Sequence, residues 1–225
     1  MTLPDLSPLW LTIQLAFVTT FVLLILCTPL AWWLSQTRSR MKPVIEAITA
    51  LPLVLPPTVL GFYLLILLSP RSTLGSFWVE TTGTTLTFSF TGLVIASALY
   101  SLPFAVQPLQ AAFEALGRAP FELAATLRAG PLDRFLSIAA PMAKRGFLTA
   151  GILSFAHTVG EFGVVLMVGG NIPGQTKVIS IAIYEQVETV NYTDAHILSA
   201  IMLVFAFAVL LFVYVINRRY PVRFG

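Results

Sequence analysis

Charge is scarce in this chain. Only 10% of its residues are Asp, Glu, Lys or Arg, against about 25% in an ordinary soluble domain, so a water-wetted globule is excluded. Cysteine is scarcer still: Cys27 stands alone, which excludes a disulfide framework and any multi-cysteine metal site. There is no glycine-rich phosphate loop closing on Lys-Ser or Lys-Thr, no metal-binding cluster and no nucleophile elbow. The chain therefore carries no motif for hydrolysing ATP, and no catalytic constellation. His157 and His196 read as hydrogen-bonded packing residues.

Apolar side chains fill the rest. They make up 57% of 225 residues, and the mean hydropathy is +0.87. A hydrocarbon core about 30 Å thick takes roughly 20 apolar residues per helical crossing. Five stretches qualify, near 10–34, 46–68, 88–112, 146–168 and 197–216. The expected fold is all-α: one transmembrane domain over 1–225 with about five spans, six if the moderately apolar stretch within 176–190 also enters the membrane. The first span is too long for a signal peptide, lacks a basic leader and lacks a small-residue cleavage site, so it is expected to be retained.

The few bases sort by side. In a five-span arrangement the loops holding Arg38, Arg40 and Lys42, then Arg118 through Arg145, then Arg218, Arg219 and Arg223 fall together, leaving only Arg71 and Lys177 opposite. The positive-inside rule then puts the N-terminus outside and the C-terminus in the cytoplasm. Because the bases follow the membrane, the net charge of +3 does not point to nucleic acid.

Three features break the apolar pattern. Span two carries Pro52, Pro56, Pro57 and Gly61 inside "LPLVLPPTVLGFYLL". An internal proline frees a backbone carbonyl at a cost of about 3 kcal/mol, tolerable in lipid only beside protein or a wet cavity. Span four carries the one deeply placed acid, Glu161, between Gly160 and Gly163 and shortly after Thr158; an ionisable group inside a span marks function or a partner. These residues, Pro56, Pro57, Gly61, Thr158, Gly160, Glu161 and Gly163, are the candidate gate or pathway. Glu161 is expected to act structurally or in gating, accepting hydrogen bonds from loosened backbone N–H groups or held protonated by burial. Span three gathers Gly92, Ala96, Ser97 and Ala98, small residues that permit close packing. The connection at 69–87, rich in Ser, Thr and Gly, reads as an external loop.

The third feature is the segment 114–145, too short and too charged to span. Pro120 opens a helix, Phe121, Leu123, Ala124 and Leu127 fall near one face, and Gly130 and Pro131 break the run. Glu114 and Arg118 are spaced as a helix-surface pair. A second amphipathic piece then leads to Pro141. On these grounds alone it could rest on lipid headgroups.

This segment resembles the cytoplasmic EAA loop in membrane subunits of ABC-type importers, with Glu122, Ala124, Ala125 and Pro141 at the matching places and Phe135 and Ile138 between them. The family usually has Gly where Arg128 stands, and Leu-Pro where Ala140-Pro141 stands. If the break is left-handed, Arg128 costs on the order of 1 kcal/mol there, or Gly130 takes the turn instead. The stretches 51–65 and 160–176, including "GEFG" and "NIPGQT", look like the permease subunit of molybdate importers; tungstate and sulfate permeases carry related segments. The resemblance implies a type I ABC importer permease fold and a homodimeric pathway in the inner membrane. It implies two copies of an ATP-binding subunit that hold ATP and Mg, no cofactor on this chain, and an extracytoplasmic oxyanion-binding protein. Coupling to the ATP-binding subunit falls on Glu122, Leu123, Ala124, Ala125, Leu127, Arg128, Gly130 and Pro141. A secondary transporter is the rival reading, but one intramembrane acid and no evident repeat supply little for ion coupling.

Overall fold

The computed structural model describes residues 4–117, 119–126 and 128–219; for Ala125, residues 212–214 and residues 216–219 it describes the backbone only. The described residues that are regular are helical. Hydrocarbon dictates this, since a helix satisfies its own N–H and C=O groups where no water can.

Among the described residues, three helices are long and apolar enough to cross: α1 (Ser7–Gln36), α5 (Phe90–Glu114) and α12, whose helix Tyr192–Arg219 contains the apolar segment Tyr192–Leu211. Two further crossings are bent pairs. α2 (Lys42–Ala50) runs through a 3-10 turn at Leu51–Leu53 and meets α3 (Pro57–Leu68) at 107°, while α9 (Lys144–Val159) meets α10 (Gly163–Gly169) at 64°. Counting each pair as one span gives five. The proline run thus does more than kink span two: it ends one helix and caps the next, with Pro56 extended at the N-cap and Pro57 first in α3.

α5 is the hub. Its buried small residues Ala96, Ser97, Ser101 and Ala105 let α1, α9, α10 and α3 pack around it, as small side chains do wherever helices approach closely in lipid. Pro103 and Pro108 sit inside α5 without ending it. The two broken spans also face each other. A methyl group added at Gly163 would lie 2.7 Å from Pro57 Cβ, and one at Gly61 would lie 2.8 Å from Met167 Cβ, so glycine is what allows α3 and α10 to touch.

One connection differs from the sequence expectation. The 69–87 segment, expected as a loop, contains a helix, α4 (Thr73–Thr82), started by the Ser72 hydroxyl accepting from Gly75 N–H and stopped by Gly83 at φ 70°. Both are strong terminal signals. The stretch after "NIPGQT" forms α11 (Ile179–Glu188), ten residues that bury Ile179, Ile181 and Ala182 against α1 and α12. It is too short to cross. Thr12 Oγ1 accepts from the Ile179 N–H at 2.8 Å, and Lys177 pairs with Glu185, which fix α11 at its start.

Replacing Gly163 with Val should lower stability by about 1–3 kcal/mol through overpacking, whereas Gly151→Ala, where an added methyl meets only ordinary contacts from 3.6 Å outward, should be close to neutral. Unfolding midpoints of the two variants in detergent check the contrast; equal midpoints would remove the glycine contact as the cause.

Candidate functional site

The first site lies at the two breaks. Pro57, Thr58, Tyr100, His157, Gly160, Glu161, Gly163 and Met167 line a cavity of about 540 Å³. Of the seven gate candidates, Pro57, Gly160, Glu161 and Gly163 are on its wall. Pro56 sits at the cap of α3 off the wall, Gly61 is spent on the α3–α10 contact, and Thr158 is buried behind, 3.1 Å from Ser101 Oγ.

Glu161 is 4% exposed. Its backbone is held at both ends: its N–H donates to Thr158 O, and the Ser180 hydroxyl of α11 donates to its carbonyl at 2.6 Å. The side chain is different. Among the described residues neither carboxylate oxygen has a partner in good hydrogen-bond geometry; the Ser97 hydroxyl, otherwise unpaired, is the donor beside it. The expected bonds from loosened backbone N–H groups are therefore absent, because α10 starts at Gly163 with Phe162 (φ −132°, ψ −56°) turning the chain. Neither Gly160 nor Gly163 adopts a positive φ; Gly163 serves close approach and Gly160 does not need to.

His157 packs as expected, stacked on Phe104 with ring centroids 4.1 Å apart and its Nδ1 2.9 Å from Ser101 Oγ. It also lines the cavity, which sequence reasoning did not assign to it. Tyr100 and Thr58 were missed too. Neither stands out in its apolar run, and only the packing of α3 and α5 around α10 brings them to the cavity of Glu161. No Lys or Arg is on the wall.

The second site is the 114–145 segment. It folds as α6 (Ala119–Thr126), α7 (Pro131–Arg134), a π-helical turn at Phe135–Ala139 and a last turn, α8 (Ala140–Met142), containing Pro141. Phe121 and Ala124 are buried, but Leu123 is 67% exposed beside the exposed Glu122. Leu123 thus does not share the inward face with Phe121 and Ala124 as the spacing suggested; at roughly 100° per residue, the neighbour of a buried position turns outward. Leu132 and Leu136 are exposed as well, at 70% and 58%. Arg118 and Leu127 lie outside the described residues, and with them the expected Glu114–Arg118 pair.

The break between α6 and α7 is left-handed, and Arg128 makes it, at φ 59°; Gly130 is extended at φ −69°, ψ 166°. Of the two alternatives the sequence left open, the turn falls on Arg128 and not on Gly130. Gly130 only starts α7. The Ala129 N–H reaches back to Ala124 O at 3.0 Å, satisfying a carbonyl that the helix end leaves open.

What anchors this segment is Trp32 of α1, which no motif flagged. Its ring meets Phe113 and Phe121 at 5.2 Å and Phe135 at 5.7 Å, all near edge-to-face. Each such pair contributes about 0.5–1.5 kcal/mol beyond area burial. Beside it, Gln110 donates to Glu46 at 2.6 Å and to Glu114 at 3.0 Å, while Lys42 pairs with Glu114 at 2.9 Å. The start of α2 is thereby tied to the end of α5.

The comparisons agree with one another. The family described as "Binding-protein-dependent transport system inner membrane component" matches residues 16–221. The molybdenum transport system permease protein ModB of Azotobacter vinelandii is 55% identical over 214 residues, covering 95% of both chains. ModB of Escherichia coli K12 is 32% identical over 81% of this chain and 82% of its own. The sulfate transport system permease protein CysT of Salmonella typhimurium is 31% identical over 95% of this chain and 76% of its own. Among solved structures, a bacterial ABC transporter involved in import of the acidic polysaccharide alginate matches with a TM-score of 0.68 at 17% identity, over 92% of this chain and 79% of that one. The fold is that of an ABC importer permease.

Arg128→Gly should stabilise the turn by about 1 kcal/mol, since glycine adopts this backbone without a Cβ penalty. Slower amide hydrogen exchange over 119–134 is the expected readout; faster exchange would mean that the arginine side chain contributes more than its backbone costs.

Proposed function

Because the chain belongs to the binding-protein-dependent transport system inner membrane component family, and so is a multi-pass inner-membrane transport subunit and not an enzyme, we propose that it is the translocation subunit of an ATP-driven molybdate importer. Two copies enclose the pathway at a two-fold interface, and each engages one copy of a separate ATP-binding subunit. A binding protein delivers the oxyanion from outside. The near full-length similarity to the Azotobacter protein carries the substrate assignment. Sulfate is the second reading, favoured by the Salmonella relative. The distribution of Lys and Arg supports an external N-terminus and a cytoplasmic C-terminus.

Coupling works through the α6–α8 segment. Glu122 and the exposed Leu123 offer a charged and apolar pair to a docking groove, with Ala124 and Ala125 keeping the helix slim. Arg128 and Gly130 set the angle to α7, and Pro141 ends the segment before α9. Closure of the ATP-binding subunits pushes α6, and the Trp32 cluster passes that push to α1 and α5. The broken spans are the moving parts. Each has a discontinuity facing the other, so α3 and α10 swing as a pair about 54–56 and 160–162 while α5 stays fixed. A wall without Lys or Arg holds a dianion weakly, which suits a route that must release what the binding protein delivers. Glu161 is a gating residue set in this hinge.

The reading is tested by ATPase measurements on the chain reconstituted in lipid with its ATP-binding subunit. Molybdate-loaded binding protein should stimulate the rate, and Glu122→Arg or Leu123→Asp should abolish stimulation while the complex stays assembled. Full stimulation in both variants would refute coupling at α6; stimulation by sulfate-loaded and not molybdate-loaded protein would move the substrate to the second reading. At the hinge, Glu161→Gln keeps shape and polarity and should retain most transport, and Glu161→Ala should lose it. Equal losses would place the requirement on the carboxylate itself.

A further inference from the structure

A groove on the other side of the bundle is unrelated to the hinge cavity. About 460 Å³ in volume, it runs between α1 and α9 with Val209 of α12 at its edge. Its walls are Phe17, Phe21 and Leu24 from α1 and Leu148, Gly151 and Phe155 from α9. Thr20 supplies the one polar side chain. Phe17 and Phe21 are 71% and 63% exposed, so the chain itself leaves the groove uncovered.

Lys144, Leu148, Gly151 and Phe155 are spaced four, three and four, which puts them on one stripe of α9. On α9 the lining from Leu148 to Phe155 rises about 11 Å, and Lys144 lies one turn beyond it on the same face. The ends differ in chemistry. At the far end Phe17 and Phe155 meet edge to face at 6.4 Å and close the slot. At the near end Lys144 is exposed and makes no ion pair among the described residues. Gly151 leaves the floor open, since an added methyl there would meet nothing closer than Leu24 Cδ1 at 3.6 Å.

We infer that this groove is a binding site for an anionic glycerophospholipid, one acyl chain lying between α1 and α9 and the phosphate seated on Lys144. The occupant is set by complementarity along this stripe: an apolar slot, and one helical turn beyond it an exposed cation with no ion pair among the described residues. A partner helix would fill the slot but would leave the cation unanswered. The site needs the membrane placement of the chain, and neither its substrate nor its ATP-binding partner.

Native mass spectrometry of the full chain, equilibrated in detergent with an equimolar mixture of dioleoyl-phosphatidylglycerol and dioleoyl-phosphatidylcholine, tests it. Wild type should retain phosphatidylglycerol in preference. Lys144→Gln, an exposed change, should reduce that preference about fivefold, the factor one interfacial cation contributes, and leave phosphatidylcholine retention unchanged. Gly151→Leu should displace both lipids by filling the floor. Unchanged preference in Lys144→Gln would overturn the headgroup seat, and unchanged retention in Gly151→Leu would overturn the groove. If wild type holds no lipid and Gly151→Leu instead splits a dimer, the groove belongs to a second copy and the inference fails. Because no arm reads ATPase rate or transport, failure here leaves the importer reading untouched.

Discussion

Hydrocarbon offers a broken backbone nothing to bond with, and this constraint organises the molecule. Where α2 gives way to α3 and α9 to α10, groups that a continuous helix would satisfy are released inside the apolar layer. The chain meets the cost by setting the two breaks against each other and lending side chains from elsewhere. Ser180 reaches in from α11 to the Glu161 carbonyl, Thr176 Oγ1 donates to Gly169 O at 2.7 Å, and Phe88 N–H donates to Val168 O at 2.9 Å. The discontinuities are thus confined to one face of α5. α1 runs through its thirty residues without such a break.

That asymmetry divides the labour. The α1–α5–α9 core carries buried small residues and a continuous apolar cluster from Leu23 to Phe113, and close-packed interiors transmit displacement instead of absorbing it. At one end the same cluster takes in Phe121, Phe135 and Ala139 of the 114–145 segment. The α6 segment and the core are therefore packed as one body. The broken pair α3–α10, joined through Gly61 and Gly163, lies outside that cluster. Glu161 sits at the junction with its backbone clamped and, among the described residues, its carboxylate without a partner in good hydrogen-bond geometry.

The sequence made the membrane class and the positions of the breaks legible, because proline, glycine and a lone acid stand out in an apolar run. It also showed where the amphipathic 114–145 segment lies. It did not show which face of that segment is inward. With eight residues in α6, two turns, the alternation of Phe121, Leu123 and Ala124 is too brief to fix a stripe, and only Trp32 decides it. The left-handed turn was legible as a possibility but not at its residue, since glycine is the ordinary occupant and Arg128 takes it. α4 was missed for a similar reason: Ser, Thr and Gly read as loop until Ser72 and Gly83 are recognised as its two caps. The wall of the hinge cavity, assembled from α3, α5, α9 and α10, has no counterpart in local pattern.

Thr12 carries a consequence for how the chain is made. Its hydroxyl donates to Pro8 O at 2.7 Å within α1 and keeps a lone pair that later accepts the Ile179 N–H. Thr28 likewise donates to Leu24 O. The first helix can therefore enter the bilayer with these hydroxyls already satisfied. It then waits. At about 5–20 residues per second, the ribosome needs roughly 4–16 s to pass from Gln36 to the end of α5 at Glu114, and longer still to deliver Ile179. During that interval α1 has no mate, and Thr12 and Thr28 need none; Thr19 and Thr20, whose hydroxyls find no partner among the described residues, are the ones that stay open.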